Sequence, residues 1–199
     1  MDPRQYKEEL LKALYEPYKK CLACPLGSLG RTTVVFGEGN ADADLFFIGE
    51  GPGKNEDEQG RPFVGRSGQL LNRALSLVNL QRADVFISNV VKCRPPNNRA
   101  PTPLESVTCM NLLLFNQIKI IRPRIICTLG SIALNSLLGK SVSITKMRGI
   151  PLDWQGILVV PTYHPAYILR NQSQANTWLE DFKTIKKIID TPSTPLNSL

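Results

Sequence analysis

Asp44-Leu-Phe-Phe-Ile-Gly-Glu-Gly-Pro-Gly53 is the stretch on which the fold turns. Leu45 to Ile48 is an unbroken apolar run, too short for a core helix and suited to a buried strand, and the glycine-rich turn behind it ends that strand. Ser67 to Val78 then places Leu70, Leu71, Ala74, Leu75 and Val78 at helical spacing. Working outward, the same order recurs. Val85 to Val91 precedes a helical pattern over Pro103 to Ile121, and Arg124 to Leu129 precedes one over Ser131 to Leu138. Leu158 to Val160 reads as a last strand, running into Pro161-Thr-Tyr-His-Pro. Tyr6 to Lys20, with Leu10, Leu11, Leu14 and Tyr15 on one side, opens the chain as a helix, and Ala175 to Ile189 closes it. Strands that alternate with helices predict an α/β protein with a central, mostly parallel four-stranded sheet covered on both faces.

The chain has 199 residues, enough for one ordinary domain with a real core, and neither a repeat nor a long linker divides residues 1–199. The tail from Thr191 onward is polar and proline-containing and reads as flexible. Hydrophobic residues make up 42% and charged residues 21%, a soluble globular balance. No apolar run approaches the roughly 18 residues of a membrane span, and the polar N-terminus lacks a secretory signal's apolar centre, so a cytoplasmic, monomeric protein is expected. Lys and Arg number 24 against 17 Asp and Glu, a net charge of +7 that favours a polyanionic partner. The basic residues recur beside Gly and Pro loops, Arg66, Lys92, Arg94 and Arg170 among them.

In open α/β sheets, function gathers in loops at the carboxyl ends of strands. Three loops hold that place here: Gly49-Glu-Gly-Pro-Gly, Asn89-Val-Val-Lys-Cys-Arg-Pro-Pro, and His164-Pro-Ala-Tyr-Ile-Leu-Arg. The five cysteines divide into one and four. Cys127 sits inside an apolar strand and reads as a small buried hydrophobe. Cys21 and Cys24 form a Cys-x2-Cys pair, while Cys93 and Cys109 fall in or beside a loop and a helix start; all-thiolate sets of this kind suit either zinc or an iron–sulfur cluster, and spacing does not choose.

Four blocks in order resemble the family 4 uracil-DNA glycosylases, the iron–sulfur members of the uracil-DNA glycosylase superfamily. They are Gly49-Glu-Gly-Pro-Gly-Lys-Asn-Glu-Asp, Gly60-Arg-Pro-Phe-Val-Gly-Arg-Ser-Gly-Gln-Leu-Leu, Asn89-Val-Val-Lys-Cys-Arg-Pro-Pro and His164-Pro-Ala-Tyr. The resemblance covers nearly the whole chain. It implies a three-layer αβα sandwich, a 4Fe–4S cluster on Cys21, Cys24, Cys93 and Cys109, and base excision repair of uracil-containing DNA, single- or double-stranded, without strand cleavage. A superfamily relative that bonds covalently to the abasic product carries an added histidine-containing loop. This chain has one histidine and no such insertion, so hydrolytic release is expected.

A uracil in duplex DNA must be flipped into a pocket, at a cost of a few kcal/mol. Phe63 resembles the family residue that stacks on the flipped ring, a contact of about 1–3 kcal/mol. The Asn89 amide accepts from uracil N3–H and donates to O4, whereas cytosine presents the opposite pattern on that edge. His164 resembles the family histidine that hydrogen-bonds O2, where charge accumulates as the N–C1′ bond breaks. Gly49, Glu50 and Gly51 complete the expected substrate site. The best-known uracil-DNA glycosylases have Asp where Gly51 stands and a thymine-excluding Tyr where Gly53 stands. Water activation thus falls to Glu50, Glu56 or Asp57, with Glu50 nearest the motif and the other two suited equally to holding the following loop. Tyr167, Ile168 and Leu169 offer an apolar wedge for the gap left by the flipped base, with Arg170 in reach of a phosphate.

Overall fold

The computed structural model describes residues 2–191; the tail expected to be flexible lies, beyond Thr191, outside the described residues. Six strands form one sheet: β1 (Glu38–Gly39), β2 (Leu45–Gly49), β3 (Phe86–Asn89), β4 (Ile125–Leu129), β5 (Leu152–Trp154) and β6 (Ile157–Thr162). Their order is β1-β3-β2-β4-β6-β5. The central four, β3-β2-β4-β6, are the expected parallel strands. The four-stranded expectation is corrected at the margins, where β1 pairs antiparallel with β3 and β5 with β6. These additions are two and three residues long, too short for an apolar period. The last is one arm of a hairpin turned by Gln155 (φ 54) and Gly156 (φ 82), the left-handed pair that a two-residue hairpin requires.

The helices are α1 (Pro3–Tyr15), α2 (Lys54–Gln59), α3 (Arg66–Leu77), α4 (Pro103–Cys109), α5 (Phe115–Ile121), α6 (Ser131–Leu138), α7 (Ile144–Met147), α8 (Pro165–Arg170) and α9 (Ala175–Asp190). Helix α1 starts earlier than its apolar stripe suggests because the Asp2 carboxylate caps it and Pro3 takes the first turn. The helix expected over Pro103 to Ile121 is continuous in path but passes through a π turn at Met110–Leu114. A reciprocal capping box between Thr102 and Glu105 opens it.

Side chains alternate across the strands and so feed two cores. Phe46, Ile48 and Ile126 join Leu113, Leu114 and Leu134 on one face, while Leu45, Phe47 and Val160 join Leu71, Trp178 and Phe182 on the other. Cys127 belongs to the second core and is fully buried there, as its apolar strand predicts. Register places Gly49 beside Asn89, and Leu129 beside Thr162, so all four parallel strands end along one edge of the sheet.

Candidate active site

A cavity of about 830 Å3 opens along that edge, and Glu50, Phe63, Asn89 and His164 all line it. Four helices begin at its wall. Gly53, Gly65, Gly130 and His164, the N-cap residues of α2, α3, α6 and α8, are lining residues, and the three glycines supply no side chain to cap the first turn. The starts of α2, α3 and α6 thus bring the partial positive charge of their first-turn N–H groups to the cavity wall, whereas α8 starts with Pro165 and has its Ala166 N–H bonded to His164.

Asn89 ends β3 and is 1% exposed. Its Oδ1 is one of two buried side-chain polar atoms among the described residues that have no hydrogen-bond partner. An orphaned buried acceptor costs about 1–3 kcal/mol unless a donor meets it. Gly49 is what lets the amide reach the cavity wall beside Phe63: a Cβ on Gly49 would lie 2.4 Å from Asn89 Oδ1 and 2.6 Å from Phe63 Cζ.

Phe63 is buried and held at φ 52, a left-handed backbone rare for an aromatic residue. Neighbours hold it there. Its carbonyl accepts from Arg82, and Gly68 packs so closely that an added Cβ would sit 1.7 Å from the Phe63 oxygen. The following loop is pinned by Glu56 Oε1, which accepts from the Val64 and Gly65 backbone N–H groups at 2.9 and 2.8 Å. The Phe63 and His164 rings lie 5.7 Å apart, inclined by 34°.

His164 Nδ1 accepts from the Ala166 backbone N–H at 3.0 Å as the cap of α8. A proton on Nδ1 would oppose that bond, so the neutral ring carries its proton on Nε2. Burial first, and the nearby Arg170 charge second, push the imidazole down to about 4, with Glu56 opposing. The backbone before it is fixed from behind. The Trp178 indole donates to the Tyr163 carbonyl at 2.9 Å, and the buried Asp181 accepts from Thr162 Oγ1 at 2.5 Å while pairing with Arg148.

Burial raises the Glu50 carboxyl above its ordinary range. Asp57 is 2% exposed and accepts from the Thr32 and Thr33 backbone N–H groups, a structural task away from the cavity. Glu56, occupied with the Phe63 loop, does line the cavity. Arg66 and Arg170 are exposed lining residues at the start of α3 and the end of α8. Arg94 stands nearby, bonded to Asn98 Oδ1 at 2.8 Å.

A second, small cavity brings Cys21, Cys24, Cys93 and Cys109 together from the segment after α1, the loop after β3 and the end of α4. All four thiols are free, and the Lys92 backbone N–H donates to Cys109 Sγ at 3.3 Å. Among the described residues no three Cys, His, Asp or Glu side chains close on a single ion; the four thiols ring a shared space instead.

The Uracil DNA glycosylase superfamily model matches residues 36–186. A type-4 uracil-DNA glycosylase of Thermotoga maritima is 54% identical over 187 residues, spanning 92% of this chain and 96% of that relative. The chain belongs to the uracil-DNA glycosylase superfamily and to its type-4 branch. The type-4 enzyme of Sulfurisphaera tokodaii is 44% identical over 92% of this chain and 86% of its own. The crystal structure of Pedobacter heparinus SMUG2, at 11% identity and a TM-score of 0.52 over 96% of this chain and 88% of that one, shares the fold.

In this type-4 member one residue expected at the DNA is placed elsewhere. Lys92, expected on the DNA face, is completely buried. Its ammonium donates to Ser88 Oγ, the Asn89 carbonyl and Gln117 Oε1 at 2.5, 2.7 and 2.8 Å, filling its three donor positions, and burial lowers it to about 7. It braces the backbone of Asn89 from inside and has no route to a phosphate. The signal was its place in Val90-Val-Lys-Cys93, an apolar strand exit. Glu56 is the reverse case: its hold on Val64 and Gly65 follows from a helix and a loop meeting, which linear spacing does not display.

Proposed function

We propose that this chain excises uracil from DNA by flipping the nucleotide into the 830 Å3 cavity and hydrolysing its N-glycosidic bond, as a monomer and without cutting the strand. The observation that carries this reading is the unpartnered Asn89 Oδ1. An acceptor fixed in a buried wall matches the N3–H of uracil and opposes cytosine, whose N3 is itself an acceptor. Phe63 supplies the stacking face. His164 donates from Nε2 to O2 and favours the departing base over the bound one, because charge appears on that oxygen only as the bond breaks. A neutral donor keeps its proton and spares the site a competing anion. Glu50 positions water or the base, and Arg66, Arg94 and Arg170 hold the phosphates around the flipped nucleotide.

Cys21, Cys24, Cys93 and Cys109 fit a 4Fe–4S cluster: the donors are all thiols, they come from three separate segments, and they ring one cavity. Bound there, the cluster would supply a structural tie, since hydrolysis transfers no electrons. Purification without oxygen should give a brown protein with matching iron and sulfide; a colourless, zinc-loaded protein would remove the cluster from this account.

The deciding experiment incubates the protein with oligonucleotides carrying uracil, hypoxanthine or a G·T mismatch, single- and double-stranded, then cleaves abasic sites with alkali. Strands cut only at uracil are expected, and intact strands throughout would overturn the reading. Asn89→Ala should lose uracil release, and Glu50→Gln should retain more activity than His164→Ala. Equal loss in Glu50→Gln and His164→Ala would make Glu50 as indispensable as His164 and overturn its positioning role.

A further inference from the structure

The opposite end of the sheet carries a groove of about 700 Å3. Phe115, Ile118, Trp154 and Ile157 give it an apolar wall, in which the Phe115 and Trp154 rings stack at 6.0 Å. The exposed Lys119 and Arg122 line the same groove, and no carboxylate does. Among the described residues neither cation enters an ion pair, whereas Lys7 pairs with Asp42 and Arg124 with Asp44. Arg122 is held at φ 55 as the left-handed residue ending α5, a position where Gly or Asn is the low-cost choice.

An apolar trough beside two unpaired cations is complementary to a particular chemistry. We propose that it binds an acidic segment of a partner protein, seating one aromatic or large aliphatic side chain against Trp154 and Phe115 while neighbouring carboxylates pair with Lys119 and Arg122. Peptide recognition commonly uses one such buried anchor with charged neighbours that fix register. The chain's own tail is a poor match in charge: Arg124 holds the Thr191 carbonyl close by, yet residues 192–199 contain no Asp or Glu. Ile157 lines the groove and begins β6, and Thr162, at the far end of that strand, leads directly into Tyr163 and His164 at the catalytic cavity. The two sites are thus separated by roughly the length of a six-residue strand, about 20 Å. A partner held in the groove leaves the DNA face open, so the complex with DNA and the complex with the partner form together.

A display library of random 12-residue peptides selected on the whole protein tests this. Enriched peptides should place Phe, Trp or Leu beside Asp or Glu. Their affinity should fall at least tenfold in the Lys119→Glu/Arg122→Glu double variant, which changes only exposed side chains, and in Trp154→Ala, and it should weaken as salt rises. Uracil release should be unchanged in the double variant, with or without peptide. The proposal is overturned by a selection that enriches no acidic sequence, or by peptides that bind the double variant equally. It is also overturned by binding that appears only after deletion of residues 192–199, by a uracil-free oligonucleotide that displaces the peptides, or by a dimer in sedimentation that Trp154→Ala dissociates.

Discussion

His164 is held neutral by burial, by the nearby Arg170 charge and by the Ala166 N–H aimed at its Nδ1. Unfolding frees the ring to its ordinary value near 6.5, whereas the folded ring protonates only near 4. Between those values the unfolded chain binds the extra proton, so stability rises with pH there and is lost as pH falls from about 6.5 towards 4. Thermal unfolding across that range should show a steeper decline for the wild type than for His164→Gln, and nitrogen NMR at neutral pH should show a single proton, on Nε2. His164→Ala should lower the rate of uracil release by about 100- to 1,000-fold, as removal of one stabilising donor does elsewhere. At the mouth, Arg66→Ala or Arg170→Ala should each reduce the salt slope of DNA binding by about one, whereas Lys92→Met should leave that slope alone and lower the melting temperature instead. Asn89 and His164 were placed at the carboxyl ends of strands by the sequence, but their roles came from the resemblance of their motifs, since a residue there has other tasks, as His164 shows by capping α8. The place of Lys92 was not legible. Whether an ammonium points to water or to three acceptors depends on Ser88 and Gln117, which strand β3 and helix α5 bring to it.

At the scale of elements, the site is a set of close approaches. Two glycines, at the end of β2 and within α3, set how tightly Phe63 is clasped. Gly68→Ala would drive a methyl into the Phe63 carbonyl and should cost about 1–3 kcal/mol in stability, read by denaturant unfolding. Gly49→Ala should abolish uracil release while leaving a folded protein, because its Cβ collides with Phe63 and Asn89, the side chains of the site, rather than with the sheet. The four parallel strands could be read from sequence because burial on both faces demands continuous apolar runs. β1 and β5 could not. Edge strands of two or three residues are defined by their partners, β3 and β6, and by ion pairs such as those of Glu38 with Arg61 and Arg82. The same holds for Glu56, whose partners lie across a loop.

For the whole molecule, the cysteine cavity joins the segment after the first helix to the loop that follows the Asn89 strand. With the proposed cluster in place, iron chelation, or Cys93→Ala, should lower the melting temperature and expose the segment around Cys21 to protease before the sheet unfolds, with limited proteolysis as the readout. Loss of uracil release should follow to the extent that the loop after Asn89 loosens. Around the cavity at the strand ends, by contrast, part of the positive charge belongs to the backbone rather than to side chains. The starts of α2, α3 and α6, each capped by a glycine, lie at its wall because the strands all end on one edge. Such a field is inherited with the topology. No single codon change deletes it, so His164→Ala, which leaves those helix starts in place, should keep a residual uracil release measurable above the uncatalysed rate.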